Sequence, residues 1–223
     1  MGSLTAVVPA PDASPVPQIE PTPGASQGPN VNRAMSPIIE EMTRAATFLF
    51  LTVAANPLLA DTTCACDASQ PETLKARQCS LCLEAEKQPT EPAVFFLKDA
   101  NPRKPNRTLV LPRLHGVGLH RMAELPAETQ TALWTAAFAK ARELFPKNDW
   151  GLAFNGDHVR TQCHTHIHIG RLLPGVETSN FVVVDSPGAI PPPGVDGYWI
   201  HPAEDGKFHV HRGEQITETV LLR

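Results

Sequence analysis

"CHTHIHIGRL", residues 163–172, sets His164, His166 and His168 on alternate positions with Thr165, Ile167 and Ile169 between them. Side chains of a strand alternate between its two faces, so the three imidazoles line one face at intervals of about 6.6 Å. Thr165, Ile167 and Ile169 take the other face and point toward a core. That apolar side fixes the register, because a slip of one residue would exchange the two sets. A row of imidazoles on the open face suits metal ligation or nucleophilic phosphorus chemistry. Neutral imidazole is available near pH 7 and can attack a phosphoryl centre, splitting one displacement into two through a phosphoramidate.

Working outward, "WGLAFN" (150–155) reads as the preceding strand and "GDHVRTQ" (156–162) as the loop between. Upstream, Leu133, Ala137, Phe138, Ala141, Leu144 and Phe145 recur at helical spacing from Pro126 until Pro146 stops them, which predicts one long helix. "AVFFLKD" (93–99) and "TLVLPRL" (108–114) are apolar and β-branched runs on either side of the turn residues of "ANPRKPNR", an antiparallel pair. A short helix is expected to begin near Pro71 or Glu72, where proline and an early acid are favourable. Downstream, "NFVVVD" (180–185) reads as a strand, and "YWIHPAEDGKFHVHRG" (198–213) as a hairpin turning at Asp205-Gly206. Strands, then one long helix, then more strands imply an α+β domain: an antiparallel sheet with one long helix packed on it, plus a C-terminal hairpin.

The 223-residue chain has 23 prolines, and seven of them fall within residues 7–30, a stretch nearly free of large apolar side chains. Residues 1–34 therefore read as a disordered Pro-rich segment. Residues 35–60 resemble a secretory signal: Arg44, an apolar run from Ala45 to Ala55, and a small-residue exit at Ala60. Its position behind a long prefix leaves two readings open. Either translation starts at Met42 or Met35 and the protein is exported to an extracytoplasmic space, or the segment is an internal anchor or first core helix. Residues 61–223 read as the third unit, the domain that carries the histidine strand and ends in a hairpin extension. A net charge of -4, with no basic run beyond "NPRKPNR", supplies no electrostatic footprint for nucleic acid.

The histidine stretch and its surroundings carry a resemblance. "HTHIHIG" is similar to the alternating signature of the histidine-triad (HIT) superfamily of nucleotide hydrolases and transferases. "LKDANPRKPNRTLVLPRLH" (97–115) resembles that family's upstream segment, with Asp99, Pro102, Pro105, Leu109, Val110, Pro112 and His115 in place, and "FNGDHVRT" resembles its Asn-Gly phosphate loop. Arg160 departs from the wider family's usual Gln, but "VRTQCHTHIHIGRLLPGV" most resembles the bacterial CDP-diacylglycerol diphosphatases, from which the chain after Gly175 departs. The resemblance implies a HIT-like fold and a hydrolase acting on a nucleotide phosphoanhydride, with CDP-diacylglycerol cleaved to CMP and phosphatidate as the leading reaction. It implies His166 as the nucleophile, His168 and Thr161 as groups that bind and orient the phosphate, and Asn155 as a residue fixing the site. Arg160, Gly156, Gln162 and Asp99 would bind the substrate. Contact with a membrane surface and homodimerisation follow by the same analogy. Two rivals stay open: a HIT enzyme of soluble nucleoside phosphoramidates or dinucleoside polyphosphates, and an exported, non-catalytic metal-binding protein.

Five cysteines stand as "CAC" (64–66), "CSLC" (79–82) and Cys163. Cys79-x-x-Cys82 has the bite of a zinc knuckle. In zinc-bearing HIT relatives such a pair is completed by two histidines, which here implies structural zinc on Cys79, Cys82, His115 and His164. The rivals are zinc on Cys64, Cys66, Cys79 and Cys82, and disulfides among those four, which export would favour. Cys163 reads as a small buried core residue. In the last hairpin Phe208 and Val210 point inward, while His209 and His211 are expected to lie solvated on the outer face; Tyr198 and Trp199 are expected to pack.

Overall fold

The computed structural model describes residues 63–223. The Pro-rich segment 1–34 and the signal-like segment 35–60 lie outside the described residues, as does the reading of export that rests on them. Among the described residues, no helix is long and apolar enough to cross a membrane.

The fold is α+β, as expected. Seven strands make one sheet: β1 (Val94–Lys98), β2 (Thr108–Pro112), β3 (Trp150–Phe154), β4 (Ile167–Arg171), β5 (Phe181–Val184), β6 (Gly197–Pro202) and β7 (Phe208–Glu214). Their spatial order is β1-β2-β4-β3-β6-β7-β5, and every neighbouring pair is antiparallel. Among the described residues, two α-helices accompany them, α1 (Ser80–Glu86) and α2 (Ala127–Leu144).

The register explains why the sheet has one oily face. Leu152 pairs with both Ile169 and Ile200, and Ile200 pairs with Val210, so one row of wholly buried apolar side chains crosses four strands. Each such burial stabilises by about 1.5–3 kcal/mol relative to exposure. Leu133, Trp134, Ala137, Phe138 and Ala141 of α2 cover that row. One residue along each strand, facing the opposite side, run His168, Ala153, Trp199 and His211. The alternation of the pleat thus delivers imidazoles from β4 and β7 to the same face, away from α2.

Several local expectations are corrected. Leu144 is 41% exposed, while Trp134, which the spacing did not select, is buried. Leu144 is the last helical residue, after which Phe145 leaves helical geometry at φ −131° ahead of Pro146. The short helix expected near Pro71 or Glu72 is a 3-10 turn, Thr73–Lys75 with Glu72 at its N-cap, and a second at Arg77–Cys79 leads into α1. Asp67 receives the Ser69 amide at 2.8 Å and hydroxyl at 2.7 Å, local bonds that compete with helix. The hairpin turns where expected, with Asp205 at φ 58° and Gly206 at φ 73°, the left-handed pair that an Asp-Gly step favours. Gly197 is required by close approach: a Cβ there would lie 2.6 Å from the Phe154 carbonyl oxygen and 2.7 Å from the Gly156 nitrogen.

Candidate active site

Ladder pairing begins only at Ile167, so His164, Thr165 and His166 form the approach to β4 and His168 alone sits within it. Beside this approach lies a cleft of about 560 Å³, and His166 and His168 both line it. Their rings meet edge to face at 4.9 Å. The Nδ1 of His166 lies 2.8 Å from the carbonyl oxygen of His164. A carbonyl only accepts, so Nδ1 carries the proton and the neutral ring keeps a bare lone pair on Nε2. Burial lowers the His166 pKa, a shift the His164 carbonyl opposes without reversing, which keeps that lone pair available. His168 is driven well below the ordinary histidine range by burial, then by the neighbouring His166 ring and the Lys104 and Arg107 cations. Its Nδ1 is 3.8 Å from Asp99 Oδ2 and its Nε2 is 3.7 Å from Glu218 Oε2.

Glu218 belongs to the C-terminal 3-10 turn Thr217–Val220, and no spacing in the sequence pointed to it. Its carboxylate pairs with Lys104 and, at 2.8 Å, with Arg107. Burial opposes its charge, yet the Lys104 hydrogen bond and the two cations outweigh burial and hold its pKa below the usual carboxylate value. The buried Arg107 also donates to the carbonyl oxygens of Leu221 at 2.6 Å, Glu218 at 2.9 Å and Leu222 at 3.2 Å. It clamps the chain terminus against the sheet. Lys104 and Arg107 were legible only as a short basic run; their convergence with Glu218 spans more than a hundred residues of chain.

The structure brings Asp99, Asn155, Thr161 and Gln162 to the cleft wall with the two histidines. Asn155 is engaged inward. Its Oδ1 accepts from the amides of Thr217 at 3.0 Å and Glu218 at 3.1 Å, and from the Thr217 hydroxyl at 3.3 Å. Asn155 therefore fixes the turn that presents Glu218. Gln162 accepts from the Ser80 hydroxyl at 2.8 Å and donates to the Arg77 carbonyl at 3.2 Å, tying the loop to α1. Asp99 accepts from the Asn101 amide through Oδ1 at 2.9 Å. Thr161 is exposed at the rim.

One expected substrate contact is placed differently. The Gly156 amide donates to the Gln215 carbonyl at 2.8 Å and the Asp157 amide to the Val195 carbonyl at 2.8 Å, so these loop amides face the neighbouring segment instead of forming an open phosphate cradle. Arg160, expected to grip a second phosphate, does line the cleft, with a side chain that is largely buried. It donates to the His120 carbonyl at 2.6 Å and has its Nε 3.2 Å from Asp157 Oδ1.

Among the described residues, two groups bring metal-ligating atoms together: Cys66 with Cys79 and Cys163, and Glu177 with His201, His209 and His211. Neither is the expected Cys79, Cys82, His115 and His164 set. Cys79 is bonded to Cys66, and Cys163, expected to be a lone core residue, is bonded to Cys64. Cys82 stays a buried thiol whose pKa burial pushes up to about 12. The two imidazoles have features of ligands: the buried His115 Nδ1 and His164 Nε2 lack hydrogen-bond partners, and their other nitrogens face Glu86 at 2.6 Å and the Thr165 carbonyl at 2.9 Å. A thiolate consumed in a disulfide cannot complete the tetrad, so zinc does not fit there in this oxidation state. The reading of His211 as solvated is also overturned, since its side chain is wholly buried.

No family model matches the chain, and no curated protein matches it.

Proposed function

We propose that the protein is a histidine-triad-like hydrolase that cleaves a nucleotide phosphoanhydride through a covalent nucleotidyl-His166 intermediate. The observation that supports this most is the fixed tautomer of His166, with Nδ1–H held by the His164 carbonyl and Nε2 left basic at a cleft. In the first step the Nε2 lone pair bonds to the α-phosphorus while the bridging P–O bond breaks, its electron pair leaving on the departing phosphate. Water then attacks the same phosphorus, the N–P electron pair returns to the ring, and the proton of the water passes to solvent. Charge developing on the phosphoryl oxygens calls for converging donors. Lys104, Thr161 and a neutral His168 stand around the cleft to supply them. Asp99 provides carboxylate acceptors suited to ribose hydroxyls.

CDP-diacylglycerol, giving CMP and phosphatidate, is the leading substrate, and a panel that includes soluble nucleotides identifies the leaving group. Rapid quench with substrate labelled at the α-phosphate is expected to trap label on His166, and His166→Gly to lose that label with at least a ~10³-fold fall in turnover. A His166→Gly protein working at the wild-type rate would refute the assignment.

A further inference from the structure

We propose that Glu177, His201, His209 and His211 form a binding site for one divalent transition-metal cation of the Zn²⁺ type, separate from the cleft. The site is independent of the phosphohydrolase reading. His201 comes from β6 and His209 and His211 from β7, where the antiparallel register sets His201 opposite His209 and Trp199 opposite His211. Glu177 arrives from the segment between β4 and β5.

The donor atoms already converge. His201 Nε2 and His211 Nε2 lie 3.3 Å apart. The Glu177 carboxylate oxygens lie 2.6 Å from His201 Nε2, 2.8 Å from His209 Nδ1 and 3.4 Å from His211 Nε2. Four donors at tetrahedral corners around Zn²⁺, each at about 2.0–2.1 Å, are roughly 3.3–3.4 Å from one another. Two of the separations match this already. The other two open to it by a movement of Glu177, whose side chain is 46% exposed at the mouth of the site.

The tautomers favour a cation over a plain ion pair. His201 Nδ1 faces the Pro202 carbonyl oxygen at 2.8 Å and must carry its proton there. The Nε2 of the neutral ring then directs a lone pair at a carboxylate oxygen and at a second imidazole nitrogen. His211 Nδ1 is engaged in turn by the Thr178 hydroxyl at 3.0 Å, which leaves its own Nε2 facing inward. A shared proton joins two such atoms, whereas a metal ion accepts all four. Outer partners that orient a ligand's second nitrogen are a regular feature of metal-bound histidines. The rings are also held in place: His211 stacks on Trp199 at 3.5 Å and His209 on Phe181 at 3.8 Å. Imidazole with one carboxylate suits zinc, iron, copper or nickel better than magnesium or calcium, which prefer all-oxygen shells.

Three strand spacings separate His168 from His211, about 14 Å, so the ion would act as a staple between β6, β7 and the 172–180 segment. The test uses the full chain, stripped with a chelator, kept without reductant and dialysed against Zn²⁺ or Co²⁺. The expected result is one metal per chain, a Co²⁺ visible spectrum with imidazole–carboxylate bands, and a higher melting temperature. His209→Ala and Glu177→Gln, at the partly exposed positions, should each weaken binding at least tenfold, while His166→Ala should retain it. Absence of bound metal in the wild type, or metal retained at full affinity in both His209→Ala and Glu177→Gln, would overturn the proposal.

Discussion

Asn155 offers the sharpest test of how the cleft is built. The sequence suggested a residue beside a phosphate loop, whereas in the structure its side-chain oxygen accepts three hydrogen bonds, two of them from the backbone of Thr217 and Glu218. Asn155→Ala would leave those two amides unpaired in an enclosed position, Thr217 being wholly buried. Each unpaired buried donor costs about 1–3 kcal/mol, and the amide of the part-buried Glu218 stands at the low end of that range, so the substitution should destabilise the fold by about 2–4 kcal/mol. For a domain of this size that corresponds to a fall in melting temperature of roughly 5–15 °C. Asn155→Asp keeps the acceptor for the two amides but loses the donor that faces the Glu218 carboxylate, so it should recover only part of the stability and raise the KM for an anionic substrate. Urea unfolding followed by circular dichroism, with kinetics at a temperature where all three proteins are folded, separates the effects. A loss of stability below about 0.5 kcal/mol in Asn155→Ala, with activity nonetheless collapsing, would refute this account and return Asn155 to direct contact with phosphate.

Two further outcomes follow from the same chemistry. Burial holds the His164 pKa at about 3, with only the Thr165 carbonyl raising it; the unfolded ring, near 6.5, takes up a proton that the folded ring refuses. Its contribution to stability is therefore complete above about pH 6.5 and declines as pH falls toward 3, by roughly 2 kcal/mol at pH 5; urea midpoints at pH 8 and pH 5 measure it, and His164→Leu should flatten that slope. Arg107→Met removes a buried guanidinium from the Glu218 carboxylate and three carbonyl oxygens, and should cost about 3–5 kcal/mol in denaturant unfolding. Arg107→Lys should recover only part of it, because an ammonium cannot reproduce the planar fork.

Much of this architecture was written locally. The periodicity of Leu133, Ala137, Phe138 and Ala141 determined α2, and Pro146 determined its end. The Asp205-Gly206 step determined the last turn, and the alternation in "HTHIHIG" determined which way Ile167 and Ile169 face; these are properties of neighbours in the chain and need no knowledge of the rest. The partners of those faces were decided only in three dimensions. Nothing within ten residues of Glu218 announces that it meets Lys104 and Arg107, nor does any motif at Asn155 reveal the turn it holds. Cys79 had three candidate companions in the sequence, Cys64, Cys66 and Cys82, and packing chose Cys66. His209 and His211 looked like the outer face of a hairpin because alternation specifies a side of the sheet without saying what covers it. The segment carrying Glu177 and the ring of Trp199 cover that side, and long-range packing of this kind is what buried His211 and left His209 only partly exposed.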